Sequence, residues 1–138
     1  MATKNKSYTI RIEKNILQER VTPKTIVIYS PDKDFSESLS MVLQDFFNVV
    51  TTNDVETLRK YATIHNADIV IADAMPTEDI RQCFEAMKKE RRHLHIIMLY
   101  VSRLTDKRLK DEFRKIVDAF FYKPIELTEL IDSINAVL

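Results

Sequence analysis

An aspartate at the end of a buried strand is the residue of this chain best placed to do chemistry. The apolar run 69–72 contains two isoleucines that flank a valine; it ends at Asp73, and the chain turns at Pro76. A short unbroken apolar run is typical of a strand buried on both faces of a parallel sheet. Reacting groups and ligands gather at the carboxyl ends of such strands. Asp73 is therefore the first candidate for a functional side chain.

A lysine follows another predicted strand in the same way. Lys123 comes directly after the last apolar run and precedes Pro124. A carboxylate beside an ammonium group suits phosphoryl acceptance, because the cation neutralises the transferred oxygens and aspartyl phosphate is an established form of carboxylate chemistry. The same two residues also fit a structural ion pair, in which Asp73 ends the strand and Lys123 is its partner.

Five strand-and-helix units are predicted to position these residues. Units of this length favour compact βα pairs with short loops, and right-handed crossovers then give a doubly wound five-stranded parallel α/β sheet with helices on both faces. The first helix is predicted to begin near Asp34, with an apolar stripe that extends to Phe46. A charged helix is predicted over 102–115. The predicted strands are 25–29, 48–52, 68–72, 96–101 and 118–122.

Composition excludes several classes of function. The 138 residues suit one domain and carry no formal net charge, which argues against a whole-surface role on nucleic acid or an anionic membrane. The chain contains no glycine. Since nucleotide-binding loops need glycine to bring the backbone close to phosphate, the P-loop and the dinucleotide fingerprint are both absent. No apolar run approaches a membrane span and no signal peptide is recognisable, so a cytoplasmic location is expected.

The first 23 residues are predicted to form an arm that precedes the domain over 24–138. Residues 1–24 hold six cations and two anions, so the rest of the chain is net negative. Residues 7–12 alternate as in a short strand, and residues 14–20 could form one or two helical turns. The arm is expected to be partly disordered or to form a short added element; a segment that contacts a partner is the alternative.

Two segments resemble the receiver domains of two-component response regulators. In residues 68–76 a strand ends in Asp-Ala-Met-Pro, and in residues 120–130 a strand ends in Tyr-Lys-Pro. The resemblance covers residues 24–138. It implies a flavodoxin-like fold with the strand order 2-1-3-4-5.

The resemblance also implies roles for particular residues. Asp73 occupies the position of the phosphoacceptor and Lys123 that of the phosphate-sensing lysine, with a cis peptide before Pro124. Tyr100 and Phe120 occupy the two switch positions. Tyr100 stands where receivers carry a threonine or serine, and Phe120 fits the position of the switch aromatic but has no hydroxyl group.

The loop after the first strand departs from the receiver pattern. The two positions of the acidic pair that holds Mg²⁺ in receivers are Ser30 and Pro31 here, and proline has no side-chain oxygen. Asp32 comes one residue late and could join Asp73 as a metal ligand only if the loop rearranges. No cofactor is assigned with certainty, and Mg²⁺ binding is expected to be weak. In addition, Val101 is predicted to crowd the approach to Asp73.

These observations predict a receiver-like signalling module that acts through protein–protein contacts, with metal-dependent phosphorylation at Asp73 impaired or lost. A sensor kinase, an output protein or a second copy is the expected partner; nucleic acid and membrane are not. The alternative is a conventional phosphorelay receiver that a histidine kinase phosphorylates on Asp73. An enzyme such as a phosphatase is disfavoured, because only Glu78 or Asp79 could supply a second acid or base.

Other reactive residue types have ordinary explanations. Cys83, the single cysteine, is expected to be a small core residue rather than a nucleophile. His93 and His95 are expected at the surface, with metal ligation as the alternative. Four cations at the end of the third helix favour its dipole, with a nucleic-acid patch as the alternative; they are Lys88, Lys89, Arg91 and Arg92.

Overall fold

Strands and helices alternate along the chain, as predicted. The computed structural model describes residues 23–100 and 107–138. The strands are β1 (Thr25–Tyr29), β2 (Asn48–Thr52), β3 (Ile69–Asp73), β4 (His95–Tyr100) and β5 (Ala119–Tyr122). The helices are α1 (Lys33–Leu43), α2 (Val55–Ile64), α3 (Glu78–Glu90), α4 (Lys107–Arg114) and α5 (Leu127–Val137).

The five strands form one parallel sheet in the order β2-β1-β3-β4-β5. The predicted doubly wound, flavodoxin-like fold and its strand order are therefore confirmed. Tyr29 pairs with Ala72, and Asp73 pairs with Leu99. This register places the residue that follows β1 beside Asp73 at the carboxyl edge of the sheet.

Alternating strand residues build a core on each face of the sheet. One face packs against α2, α3 and α4, where Phe84 and Phe113 are fully buried and meet edge to face at 5.9 Å between ring centroids. The other face packs against α1 and α5 through buried leucines and isoleucines, including Leu43 and Leu130. Because both faces are covered, the central strands are apolar except at their ends, as in residues 69–72 of β3 and 96–99 of β4.

Side-chain oxygens cap the N-termini of three helices. Asp32, Asp54 and Thr77 are the N-caps of α1, α2 and α3, and each accepts a hydrogen bond from the backbone N–H three residues later. Such bonds satisfy N–H groups that have no partner within the helix. After α2, a left-handed backbone position with φ of 53° is taken by Asn66. Asparagine tolerates this conformation better than most residues, which suits a chain without glycine.

The predicted extent of the first helix was wrong. The helix ends at Leu43, whose carbonyl oxygen accepts bonds from the N–H groups of both Phe46 and Phe47. This turn closes the helix, so Phe46 leaves the apolar stripe and is 71% exposed.

Two predicted parts of the chain lie outside the described residues. One is the N-terminal arm through residue 22. The other is residues 101–106, which cover the end of the strand predicted over 96–101 and the start of the helix predicted over 102–115. No helix in the described part of the chain has the length and apolar character needed to cross a membrane.

Asp118, just before β5, ties three elements together. Its Oδ2 accepts hydrogen bonds from the backbone N–H of Ile96 at 2.8 Å and from Lys88 Nζ at 3.1 Å. The Nδ1 atom of His95 lies 3.4 Å from Oδ1. Partial burial alone would raise the pKa of Asp118, but the bonds from Ile96 and Lys88 outweigh it and the net effect is a lowered pKa.

We predict that Asp118→Asn lowers the free energy of unfolding at pH 7 by roughly 0.5 kcal/mol, because it removes a partly exposed charge pair. A carboxyl group whose pKa is lower in the folded state than in the unfolded state stabilises the fold at pH values above its unfolded-state pKa. This stabilisation is lost as the pH falls through the unfolded-state pKa and then the folded-state pKa. The difference between the two proteins in urea unfolding should therefore shrink below about pH 4. Asp111→Asn, which removes the exposed Lys107–Asp111 pair on α4, is the control. A pH-independent difference for Asp118→Asn would contradict the assignment.

Candidate functional site

Asp73 ends β3 with a carboxylate that is almost entirely buried, at 7% residue exposure. Its Oδ2 accepts a hydrogen bond of 2.7 Å from Ser30 Oγ and another of 2.7 Å from Lys123 Nζ. Within the described ranges no donor contacts the other oxygen, Oδ1. The structure thus brings together Asp73 and Lys123, the two candidates predicted from the strand ends, and adds Ser30 to them.

Lys123 is held between a carboxylate and an aromatic ring. Its ammonium group lies 4.0 Å from the ring centroid of Phe35, in the first turn of α1. A cation over an aromatic face is stabilised by the ring quadrupole. The Lys123–Pro124 peptide bond is cis. With 19% side-chain exposure, the lysine is too well packed to behave as a surface cation.

Ser30 is the site residue whose part was missed in the sequence, where it counted only as a lost metal ligand. It is fully buried, and its hydroxyl donates to Asp73 while it accepts from the backbone N–H of Asp32 at 2.9 Å. A signal was available: serine follows β1 directly, and β1 is the neighbour of β3 in this fold. The hydroxyl therefore joins the loop after β1 to the end of β3.

Asp32 lies near the site but has another use. Its Oδ1 accepts a 3.2 Å hydrogen bond from the N–H of Phe35 and caps α1. Asp32 and Asp73 line one open cleft of about 430 Å³ together with Pro31, Met75 and other residues. The cleft gives solvent a route to the edge of the Asp73 carboxylate.

The donor set does not fit a dedicated magnesium site. Mg²⁺ in proteins is bound by carboxylates together with waters, in octahedral geometry. In the described ranges no group of three or more histidine, cysteine or acidic residues is arranged to hold a metal. The Oδ2 atom of Asp73 is already bonded by Ser30 and Lys123, and Asp32 caps a helix. A metal that used Asp73 Oδ2 and Asp32 Oδ1 would have to compete with these three bonds.

The two predicted switch positions lie on neighbouring strands. Tyr100 is the last residue of β4 and pairs with Tyr122 on β5. Phe120 pairs with Met98, is half-buried, and packs against the core between the sheet and α2, α3 and α4. Their predicted switch roles, like the phosphorylation roles of Asp73 and Lys123, stay predictions. Val101 lies outside the described residues.

The remaining reactive side chains do not join this site. Burial raises the pKa of the Cys83 thiol, with the nearby Arg59 acting in the opposite direction, so the thiol stays protonated and is a poor nucleophile at neutral pH. Glu78 pairs with Arg81 on its own helix. His93 is exposed, while His95 faces Asp118 at the opposite edge of the sheet.

Tyr29 is a further titratable side chain that lines the cleft beside Asp73. Burial raises the pKa of its phenol, and the negative charges of Asp54 and Asp73 raise it further. The hydroxyl group is therefore neutral throughout the physiological range, and it offers a hydrogen bond and not a charge to the cleft.

Comparison with known proteins gives a fold. No family model matches the chain, and no curated protein matches it. The structure resembles the chemotaxis protein CheY4 of Vibrio cholerae with a TM-score of 0.72 and 20% identity, over 85% of this chain and 100% of that one. It resembles a response regulator receiver domain protein of Clostridium thermocellum with a TM-score of 0.69 and 22% identity, over 83% and 93%.

A pilus assembly-related protein of Burkholderia pseudomallei is similar to the same degree. Its TM-score is 0.69 at 18% identity, over 83% of this chain and 88% of that one. The chain therefore has the fold of response regulator receiver domains, as the two sequence motifs indicated. At these identities the likeness establishes the fold alone.

We predict that Lys123→Met lowers the free energy of unfolding at pH 7 by about 2 kcal/mol, because it leaves the buried Asp73 carboxylate with one donor fewer. Adding Asp73→Asn should recover part of this loss, since the unpaired charge is then removed. Urea unfolding followed by far-ultraviolet circular dichroism measures both. Lys33→Met breaks the exposed Lys33–Glu37 pair and should cost far less; an equal cost for the two lysines would contradict the prediction.

Proposed function

We propose that this protein is a receiver-like signalling module that acts through protein–protein contacts, with metal-dependent phosphorylation at Asp73 impaired or lost. The observation that carries the proposal is the hydrogen bond from the buried Ser30 hydroxyl to Asp73. The residue at this position is expected to be a metal-binding carboxylate in a working receiver, and here it is a neutral donor.

Electrostatics supports the same proposal. Phosphoryl transfer depends on positioning and on cations that neutralise the developing charge, and the metal supplies much of that charge. A cluster of carboxylates needs a divalent ion to offset its own repulsion. Asp73 has instead a single lysine at 2.7 Å and a hydroxyl group, so its charge is already compensated. This arrangement is stable without a metal and attracts one weakly.

The expected partners are proteins, such as a sensor kinase, an output protein or a second copy. An enzymatic function on Asp73 is disfavoured, because the candidate second acid Glu78 is paired with Arg81 and does not line the cleft. A module of this kind would pass on a signal by occupancy of its surface.

We predict that acetyl phosphate with Mg²⁺ labels the protein far below one phosphoryl group per chain. The double variant Ser30→Asp, Pro31→Asp restores an acidic pair and removes the donor, so Mg²⁺ affinity should rise at least about tenfold, equivalent to roughly 1.4 kcal/mol. Amide shifts in a Mg²⁺ titration and intact-mass detection of the acyl phosphate measure the two effects.

The same double variant with Asp73→Asn is the matched control, and it should bind less Mg²⁺ and carry no label. Stoichiometric labelling of the unaltered chain would overturn the proposal, whatever the variants do.

A second candidate is a conventional phosphorelay receiver with a relocated metal site. The open cleft shared by Asp32 and Asp73 favours it. Asp32→Asn tests it cleanly, since asparagine is as good an N-cap as aspartate but is a poorer metal ligand. We predict no change in Mg²⁺-induced amide shifts near Asp73 for this variant, measured against the unaltered chain. A clear loss of those shifts would favour the relocated site over the proposal.

A further inference from the structure

One edge of the sheet has none of the devices that usually keep an edge strand from pairing with another chain. In the described part of the chain, β2 pairs only with β1 and therefore forms this edge. The register between the two strands is continuous, without a bulge. Residues 46–53, which include β2, contain no charged residue and no proline, although 30% of the whole chain is charged. Charged side chains, prolines and bulges are the common means of protecting an edge.

The strand at the other edge, β5, is better protected. It has four residues, against five in β2. Asp118 precedes it, and Lys123 and Pro124 follow it. Short length, flanking charges and a proline all limit pairing along an edge. The lack of protection is therefore particular to β2.

The backbone of β2 directs the hydrogen-bonding groups of two residues toward the open edge. The Asn48 N–H donates to the carbonyl oxygen of the residue before β1 at 2.9 Å, and the Thr52 carbonyl oxygen accepts from the N–H of the residue after β1 at 3.1 Å. Residues of a strand alternate in the neighbour to which they bond, so Val50 also bonds toward β1. Val49 and Thr51 then direct their N–H and C=O groups away from the sheet.

These outward groups fit a second copy of the same strand that runs in the opposite direction. If a twofold axis passes through Val50, Val49 of each copy lies opposite Thr51 of the other. Residues opposite each other in this way exchange both backbone bonds in an antiparallel ladder, so every outward group gains a partner. Val50 then lies opposite Val50 of the other copy, in the position without hydrogen bonds. A shifted axis would leave residues of β2 unpaired.

The side chains also favour a second copy as the occupant of this edge. The strand reads Asn-Val-Val-Thr-Thr, and β-branched residues suit a pleated strand. Pairing an uncharged strand with itself places no like charges opposite each other. Phe46, two residues before the strand and 71% exposed, lies where an antiparallel partner strand ends and gains cover from it.

We propose that this protein forms a symmetric dimer in which β2 pairs antiparallel with β2 of a second copy, so that the two sheets become one. Such a contact closes on itself, because each copy uses its β2 edge once and neither edge stays open. The proposal names one of the partners expected for the proposed function and rests on the part of that function that involves protein contacts. Acetyl phosphate labelling tests phosphorylation and oligomeric state tests this pairing, so either can fail alone.

Amide hydrogen exchange of the full chain at two concentrations tests the proposal. The amides of Val49 and Thr51 are bonded only in the dimer, so their exchange should slow at least about tenfold between micromolar and millimolar chain. The amides of Val50 and Thr52 bond to β1 in either state and should change far less, which makes them the internal control. Sedimentation velocity over the same range should show conversion of monomer to dimer.

Cysteine variants test the register of the pairing. Val50→Cys in a Cys83→Ser background places two thiols at the twofold axis, where opposite Cα atoms lie about 4.5 Å apart, a separation that a disulfide can span. Mild oxidation with oxidised glutathione should give a covalent dimer. Val49→Cys in the same background is the matched control, and it should cross-link far more slowly because Val49 lies opposite Thr51 and not opposite itself.

Substitutions of Thr51 test the outward backbone groups. Thr51→Pro removes an N–H that faces the open edge and none that bonds to β1, so the monomer should keep its far-ultraviolet circular dichroism while the dimer is lost. Thr51→Lys keeps the N–H and places a charge on an exposed position of the edge. It should weaken the dimer as well and leaves the test valid if the proline variant does not fold.

Three results would overturn the proposal. The first is a full chain that stays monomeric at millimolar concentration. The second is slow exchange of Val49 and Thr51 in dilute monomer, since the edge would then be covered within one chain. The third is a dimer that is insensitive to Thr51→Lys and cross-links no faster through residue 50 than through residue 49, since another surface would then join the copies.

Discussion

The constraint on which the site depends is the burial of the Asp73 carboxylate. A carboxylate whose side chain is only 10% exposed is costly unless donors replace the water it has lost. Ser30 and Lys123 supply them, both at 2.7 Å from the same oxygen. The topology makes this possible, because β1 lies next to β3 and β5 ends at the same edge of the sheet, two strands away from β3. The sheet order and the loop after β1 thus both contribute to holding one buried charge.

The way in which that charge is compensated has a chemical consequence. A site with several carboxylates is unstable alone and gains stability from a divalent cation, which then becomes available for phosphoryl transfer. A single carboxylate beside a lysine and a hydroxyl group has no net charge to offset. The hydroxyl of Ser30 adds a donor to Asp73 and no further charge to the site.

Local features of this fold could be predicted from the sequence, and contacts between distant residues could not. Strands that are apolar on both faces, such as 69–72, and helix starts such as Asp54 are local signals, so element order and fold class were predictable. The prediction that the apolar stripe of the first helix extends to Phe46 was wrong, because the periodicity of a stripe does not reveal where a turn closes the helix. The contact between Ser30 and Asp73 was missed for another reason. A serine after a strand has no particular periodicity, and its hydrogen bond to Asp73 spans 43 residues. Contacts of that kind follow only once the pairing of β1 with β3 is known.

Phe35 connects the buried charge to the rest of the surface. Its ring lies 4.0 Å from the Lys123 ammonium group, and the same side chain lines an apolar groove between α1 and α5. A ligand in this groove that moved the ring would act on the Lys123–Asp73 pair through this one side chain. Phe35 thus belongs both to the site at the carboxyl edge of the sheet and to the surface between α1 and α5.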